Sequence, residues 1–401
     1  MVLKNTSPAI NGPGRRKCQS WIESFIEYTA NLEAAPLYRK WAAISVIAAT
    51  LEQKVSIDTG SPLFPNLYIF LVGRPGIGKS RTITTAVNVF RELPDPKIGA
   101  TSMTMASLTD HLNESKRVIL SKGSQSIPTF DYNTLYIAAD ELSAFMHDYE
   151  GGLIAGLTTF YDCVPYAQGR RVKDIRIKIA RPQLNILSGT TPSNLMHFVP
   201  EFAWEQGFTS RIIMIFAEDQ PVVDVFSAAK LPKPVDLIHD LKVIDTLLGE
   251  FGWTDEYKEA MNNWKSMGCP PKPQHPKLEH YCSRRFSHLL KLSIVANVDR
   301  GDDLTLTKQD FNKAMGWLLE AELAMPNVFT QGLVVPDAKV MHELHFYLKG
   351  FPDGLPERQL LGYAKNITPL ITIPAVFAMM ERAGMMEMIT VDKRNRIWKA
   401  T

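Results

Sequence analysis

The chain has 401 residues, of which 45% are hydrophobic and 21% charged, and a formal net charge of +2. That length allows two or three domains of roughly 100–200 residues, and the composition excludes disorder as the default state. A near-neutral total neither demands nor excludes a polyanionic partner, so a nucleic-acid contact has to come from local clustering.

The four cysteines, Cys18, Cys163, Cys269 and Cys282, form no C-x-x-C pair and have no histidine at zinc-finger spacing. They read as free thiols in a reducing compartment. Residues 1–17 are polar and basic, without the apolar centre of a secretory signal. The longest apolar stretch, 41–51, is about half of the ~20 residues that a membrane span needs. The expectation is a cytoplasmic protein with no membrane partner.

Residues 1–17 are expected to be a mobile tail. Trp21, Ile22, Phe25 and Ile26 lie at helical spacing in 18–31, and 37–52 is a second, strongly apolar helix. With the alternating strand at 54–58 they make a helical N-terminal segment, 18–65. The run LYIFLV at 67–72 ends in a glycine and suits the central strand of a parallel sheet. Helices are then expected at 81–92, 106–114, 141–148 and 153–162, and apolar strands at 135–139, 184–188 and 211–216. Such alternation predicts an α/β core with a largely parallel sheet over 66–217.

A Pro-containing linker, 218–234, leads to helices at 235–248, 255–266, 280–298 and 308–324, and so to a helical region over 235–327. Thr307 and Asp310 form an N-cap signature for the last of them. Beyond a second linker at 326–336, short helices at 338–349, 357–364 and 373–383 precede strands at 386–391 and 396–399. Three helices followed by a hairpin is winged-helix order, over 338–401.

Gly73, Arg74, Pro75, Gly76, Ile77, Gly78, Lys79 and Ser80 match G-x-x-x-x-G-K-[ST] without deviation. An apolar strand precedes the loop and a helix follows it. Backbone N–H groups of such a loop point at phosphates, the lysine reaches the β- and γ-phosphates, and the Ser80 hydroxyl is placed to ligate Mg²⁺. Gly73, Pro75, Gly76, Ile77, Gly78, Lys79, Ser80 and Arg81 are thus the expected ATP-binding residues. Asp140 and Glu141 end the apolar strand LYIAA. Two adjacent carboxylates repel each other, and a bound cation gives them a reason to coexist. Asp140 is expected to hold Mg²⁺ and Glu141 to polarise the attacking water, which favours hydrolysis over nucleotide binding alone.

Beyond these motifs the chain resembles the MCM-like AAA+ ATPases, of the helicase-like kind carried by phages and mobile elements. LNILSGTTP at 184–192 is similar to that family's sensor-1 strand, with Thr191 in a place where the family usually has Asn. Residues 209–213 (TSRII) resemble the segment carrying its arginine finger, which puts Arg211 in that role. Residues 283–293 resemble the sensor-2 helix of its lid, with Arg284 on the sensor arginine. The resemblance spans 21–329 and implies a P-loop AAA+ domain with a helical N-terminal segment, a helical lid and a C-terminal winged helix. It also implies a homo-oligomeric ring, a hexamer, in which Arg211 and Arg284 reach a neighbour's ATP.

The segment RRVKDIRIKIAR at 170–181 carries Arg170, Arg171, Lys173, Arg176, Lys178 and Arg181 against one acid, Asp174. Ile175, Ile177 and Ile179 alternate with Arg176 and Lys178, which predicts a strand with one basic face. The resembled family carries a pore-facing hairpin in this interval, so Arg170, Arg171, Lys173, Arg176 and Lys178 are the expected nucleic-acid contacts. A solvated edge strand is the alternative. The function expected is an ATP-dependent DNA helicase or translocase of replication, acting on single-stranded or forked DNA. The winged helix would contact DNA or replication proteins. The alternatives are an initiator or helicase loader that assembles on DNA without unwinding it, and a non-replicative switch ATPase.

Overall fold

A computed structural model describes residues 15–120, 129–145, 151–170, 175–199, 207–223, 234–332, 336–368, 370, 372–392 and 395–401. The chain is a mixed α/β protein with parallel and antiparallel strand pairs, and it divides into two compact units, Met1–Gly332 and Leu333–Thr401.

In the first unit, helix α1 (Trp21–Tyr28) starts at Ser20, whose side chain accepts from the backbone N–H of Glu23. Helix α2 (Pro36–Leu51) opens on a proline, whose missing N–H costs nothing at a helix start. Almost every residue of α2 is buried, as a helix apolar on all sides requires. Strands β1 (Val55–Asp58) and β2 (Pro62–Leu63) pair antiparallel. The end of the expected tail is tied down: the Lys17 N–H donates to Asp240 at 2.9 Å, and Arg16 pairs with Asp302 at 2.5 Å. Residues 1–14 lie outside the described residues.

The core continues with β3 (Tyr68–Val72), α3 (Lys79–Phe90), α4 (Met105–Glu114), β4 (Lys116–Leu120) and β5 (Thr129–Ala139). Next come α5 (Leu142–Phe145), α6 (Gly151–Tyr161), β6 (Tyr166–Arg170), β7 (Ile175–Ile179), β8 (Pro182–Thr190), α7 (Pro192–Phe198) and β9 (Ile212–Phe216). Five strands form one sheet in the order β4-β5-β8-β3-β9. The pairs β5–β8, β8–β3 and β3–β9 are parallel, whereas β4 joins β5 antiparallel. All residues of β3, β8 and β9 are buried, which explains the unbroken apolar runs of β3 and β9, whereas β8 also buries Gln183, Asn185, Ser188 and Thr190. Pairing with β4 also extends β5 back to Thr129, through the polar stretch TFDYN that carries no apolar run. The helix expected over 141–148 is described only as α5, and 146–150 lie outside the described residues.

Helix α8 (Val235–Asp245), strands β10 (Gly249–Glu250) and β11 (Gly252–Trp253), and helix α9 (Asp255–Ser266) follow. Then come α10 (Glu279–Arg300), β12 (Thr305–Leu306), α11 (Lys308–Ala324) and α12 (Asn327–Gly332). Thr307 and Asp310 form a complete capping box on α11. Arg285 of α10 is fully buried and grips Glu322 of α11 with two 2.7 Å hydrogen bonds. A two-pronged pair of this kind fixes how the two helices align more than it adds stability. These helices share one hydrophobic core with α1, α2 and the sheet.

The second unit contains α13 (Pro336–Lys349), β13 (Leu355–Pro356), α14 (Glu357–Ala364), α15 (Ile373–Arg382), β14 (Met386–Asp392) and β15 (Asn395–Ala400). Its strands form an antiparallel sheet in the order β13-β15-β14. Leu344, Leu348, Leu360, Val376 and Met380 make its core, with Trp398 of β15 packed edge-on to Phe377. No helix among the described residues is long and apolar enough to cross a membrane.

A candidate phosphate-binding site

Because β5, β8, β3 and β9 run parallel, the segments that follow them emerge at one edge of the sheet, where open α/β sheets bind ligands. Gly73 follows β3, Asp140 and Glu141 follow β5, Thr191 follows β8 and Ala217 follows β9. The Gly73 N–H donates to the Thr190 carbonyl at 3.2 Å, closing the loop onto the end of β8.

Gly76 and Gly78 have φ of +83° and +81°, a region that L side chains rarely enter. A Cβ at Gly78 would also lie 2.2 Å from the Glu33 carbonyl oxygen. Lys79 is buried, and its Nζ donates to the Gly73 and Arg74 carbonyls at 2.7 and 2.8 Å. The loop is therefore curled around its own ammonium group. Burial lowers the pKa of Lys79, and the Glu141 carboxylate acts against that shift. Arg74, Pro75, Gly76 and Ser80 face solvent, while Ile77 anchors the loop in the core. Arg81 is exposed and lies 3.8 Å from Glu33.

Burial raises the pKa of Asp140, with no charged partner for it among the described residues. Asp140 is nevertheless exposed to solvent at the sheet edge. No cluster of three metal-binding side chains occurs among the described residues. A Mg²⁺ ion held through one or two protein oxygens and a nucleotide's phosphates requires none.

Thr191 is the N-cap of α7, its hydroxyl accepting from the Asn194 N–H at 3.2 Å. One turn on, the Asn194 side-chain amide donates to Glu141 at 3.3 Å. The nearest sequence signal for Asn194 is the polar triplet of Thr191, Ser193 and Asn194 around Pro192. Gln220 is a second residue that the motifs did not reveal. With its amide nitrogen turned toward the loop, it donates to Gly76 O at 2.8 Å and Glu33 O at 3.0 Å.

Arg211 precedes β9, at the opposite end of the sheet. Residues 68–72 pair one-to-one with 212–216, so a strand length of about 17 Å separates Arg211 from the glycine loop. Arg211 is buried and donates to Gly207 O at 2.6 Å and to Asp162. Arg284, from the first turns of α10, donates to the other oxygen of Asp162 at 3.1 Å. The two arginines singled out from sequence thus meet, away from their own chain's glycine loop.

Within the basic segment, residues 175–179 form β7, paired antiparallel with β6. Ile177 and Ile179 are buried, whereas Arg176 and Lys178 are exposed and stand opposite Gly169 and Ala167. The side chain of Arg170 and the whole of Arg171 and Lys173 lie outside the described residues. No family model matches this chain, and no curated protein matches it.

Proposed function

We propose that this chain is a P-loop ATPase of the AAA+ type that works in a ring, a hexamer, and moves single-stranded DNA past the β6–β7 hairpin. One observation carries the ATPase reading: a glycine loop closed around Lys79, at the sheet edge where Asp140 and Glu141 also emerge. A terminal phosphate takes the place of the two carbonyls that Lys79 now holds. Glu141 accepts a hydrogen bond from the attacking water, with its carboxylate oriented by Asn194. When bound, Mg²⁺ would neutralise charge on the phosphates, with Ser80 and Asp140 as the residues to hold it.

The ring is supported by the separation of Arg211 and Arg284 from their own loop. Arginines placed there serve a neighbour's nucleotide, where they stabilise charge on the transferring phosphoryl group. The DNA part is supported by the exposed Arg176 and Lys178, two residues apart on one strand face, as contacts that follow a phosphate backbone without reading bases. We read the second unit as a winged helix. Its third helix, α15, has Arg382 as its only cation, which suits contact with a DNA backbone or a replication protein rather than with base edges.

ATPase activity measured with and without single-stranded DNA, beside the particle mass in ATP, tests the proposal. Stimulated hydrolysis by a ring-sized particle that unwinds a fork supports it in full. Stimulation without unwinding indicates a loader, and hydrolysis indifferent to DNA indicates a switch. A folded protein without ATPase activity ends the reading.

A further inference from the structure

Asp162 directly follows α6 and accepts from both arginines, from Arg211 through Oδ2 and from Arg284 through Oδ1. Neither arginine alone defines a point in space. Arg284 rises from α10 with its side chain 30% exposed, whereas Arg211 is 7% exposed and comes from the turn before β9. The carboxylate between them links the two guanidiniums directly, and His288 of α10 also ties the helix to this turn through the Ser210 carbonyl at 2.9 Å.

Further contacts hold Arg211 in place. Arg211 is held from behind by the Gly207 carbonyl and lies over the Tyr161 ring, its Cζ 5.9 Å from the ring centre. Among the described residues its buried Nε has no hydrogen-bond partner. Lys291, fully buried, caps the same ring at 3.9 Å and donates to the side chain and backbone of Asn66, each at 2.8 Å. His288 is buried beside them, with a pKa pushed down to about 3 by burial, and adds no charge. Two guanidiniums therefore share a single carboxylate, with Lys291, its pKa pushed down to about 7 by burial, behind the Tyr161 ring. A guanidinium has five N–H donors, so a pair engaged mainly with one carboxylate keeps donors for a second oxyanion.

We propose that Asp162 is the positioning residue that gathers Arg211 and Arg284 into one clamp for the terminal phosphate of a neighbouring subunit's nucleotide. This rests on the shared-site reading given above. Asp162 touches no substrate; it sets the spacing of two groups that do. A displacement of about 1 Å in such groups can cost on the order of 10²-fold in rate.

The test uses the full chain with Asp162→Ala, Asp162→Asn and Asp162→Glu. The Ala and Asn variants should lose about 10²-fold in kcat with KM little changed, because the lost interaction is made only in the transition state. Asp162→Glu keeps the carboxylate and should recover part of the loss. The defect should also be complemented in trans. Lys79→Ala subunits carry an intact clamp, so mixing them with Asp162→Ala protein should raise turnover above the sum of the two. A merely structural defect would spoil the mutant's own ATP site and show no such rescue. Arg211→Ala mixed with Lys79→Ala is the control. Rescue of the control without rescue of Asp162→Ala overturns the role of Asp162 alone. Failure of both overturns the shared site beneath it. Wild-type kcat in folded Asp162→Ala also overturns the proposal.

Discussion

The side-chain amide of Asn194 donates to the Glu141 carboxylate at 3.3 Å, joining the helix after β8 to the acid after β5. The contact engages one carboxylate oxygen, and under the proposed ATPase reading the other is the one that serves the attacking water. Asn194→Ala should therefore bind ATP normally and hydrolyse it more slowly, by about tenfold if one charge-assisted hydrogen bond is lost. Asn194→Asp sets a second negative charge beside Glu141 and should be worse than Ala. Equal single-turnover rates for the two variants would remove the orienting role.

Lys79→Ala should abolish turnover, since it removes the ammonium that stabilises the phosphoryl group. Glu141→Gln should keep nucleotide affinity and lose hydrolysis, leaving an ATP-bound oligomer that mass measurement detects. Near-normal turnover in either folded variant would show that the site has been misread.

Arg211→Ala should bind ATP at its own loop yet hydrolyse it on the order of 10³-fold more slowly, as arginine-finger losses do. Mixing it with Lys79→Ala protein should restore part of the activity. The strand length between Arg211 and its own loop leaves no route to that result within one subunit. Mixtures that never exceed the sum of their components would rule out a shared site.

Replacing Arg176 and Lys178 together with Ala removes two exposed cations and leaves Ile177 and Ile179 in the core. The fold should survive, and single-stranded DNA binding should weaken. The salt dependence of log affinity should become shallower by about 0.7 per lost contact. DNA-stimulated hydrolysis should fall while basal hydrolysis persists. A salt titration that overlays the wild type would assign the strand to the solvated-edge role instead.

His288 sets an acid limit on stability. Its Nε2–H donates to Ser210 O at 2.9 Å, and the Tyr161 hydroxyl donates to Nδ1 at 3.3 Å, an arrangement that suits the neutral ring. Burial lowers its pKa from 6.5 to about 3, and Lys291, Arg284 and Arg211 push in the same direction. The unfolded chain therefore binds the extra proton first. This contribution to stability is complete above about pH 6.5 and is lost as the pH falls toward 3. Denaturant titrations of wild type and His288→Gln across that window should show a shallower decline in the variant. Parallel pH profiles would assign the acid sensitivity to other groups.

The local features were legible in the chain because each depends on neighbours in sequence. The apolar runs of β3 and β9 are unbroken because those strands are buried on both faces. The glycine loop after β3 needs glycine where φ is positive, at Gly76 and Gly78. Asp310 was recognisable as half of a capping box three residues after Thr307. The alternation of Arg176 and Lys178 with buried isoleucines marked a strand with two unlike faces. The antiparallel edge strand β4 was not legible, since a short strand with an exposed face, Val118 among it, carries little periodicity.

Long-range pairing was decided only in three dimensions. Nothing near Asp162 in the sequence points to Arg211 or Arg284, which lie 49 and 122 residues away. Asn194 and Glu141 are 53 residues apart, and meet because β5 and β8 are parallel neighbours whose ends emerge side by side. A sequence motif records which chemistry a short segment can supply. Which segments share a sheet edge follows from strand order and helix packing, and those depend on burying the whole apolar surface at once.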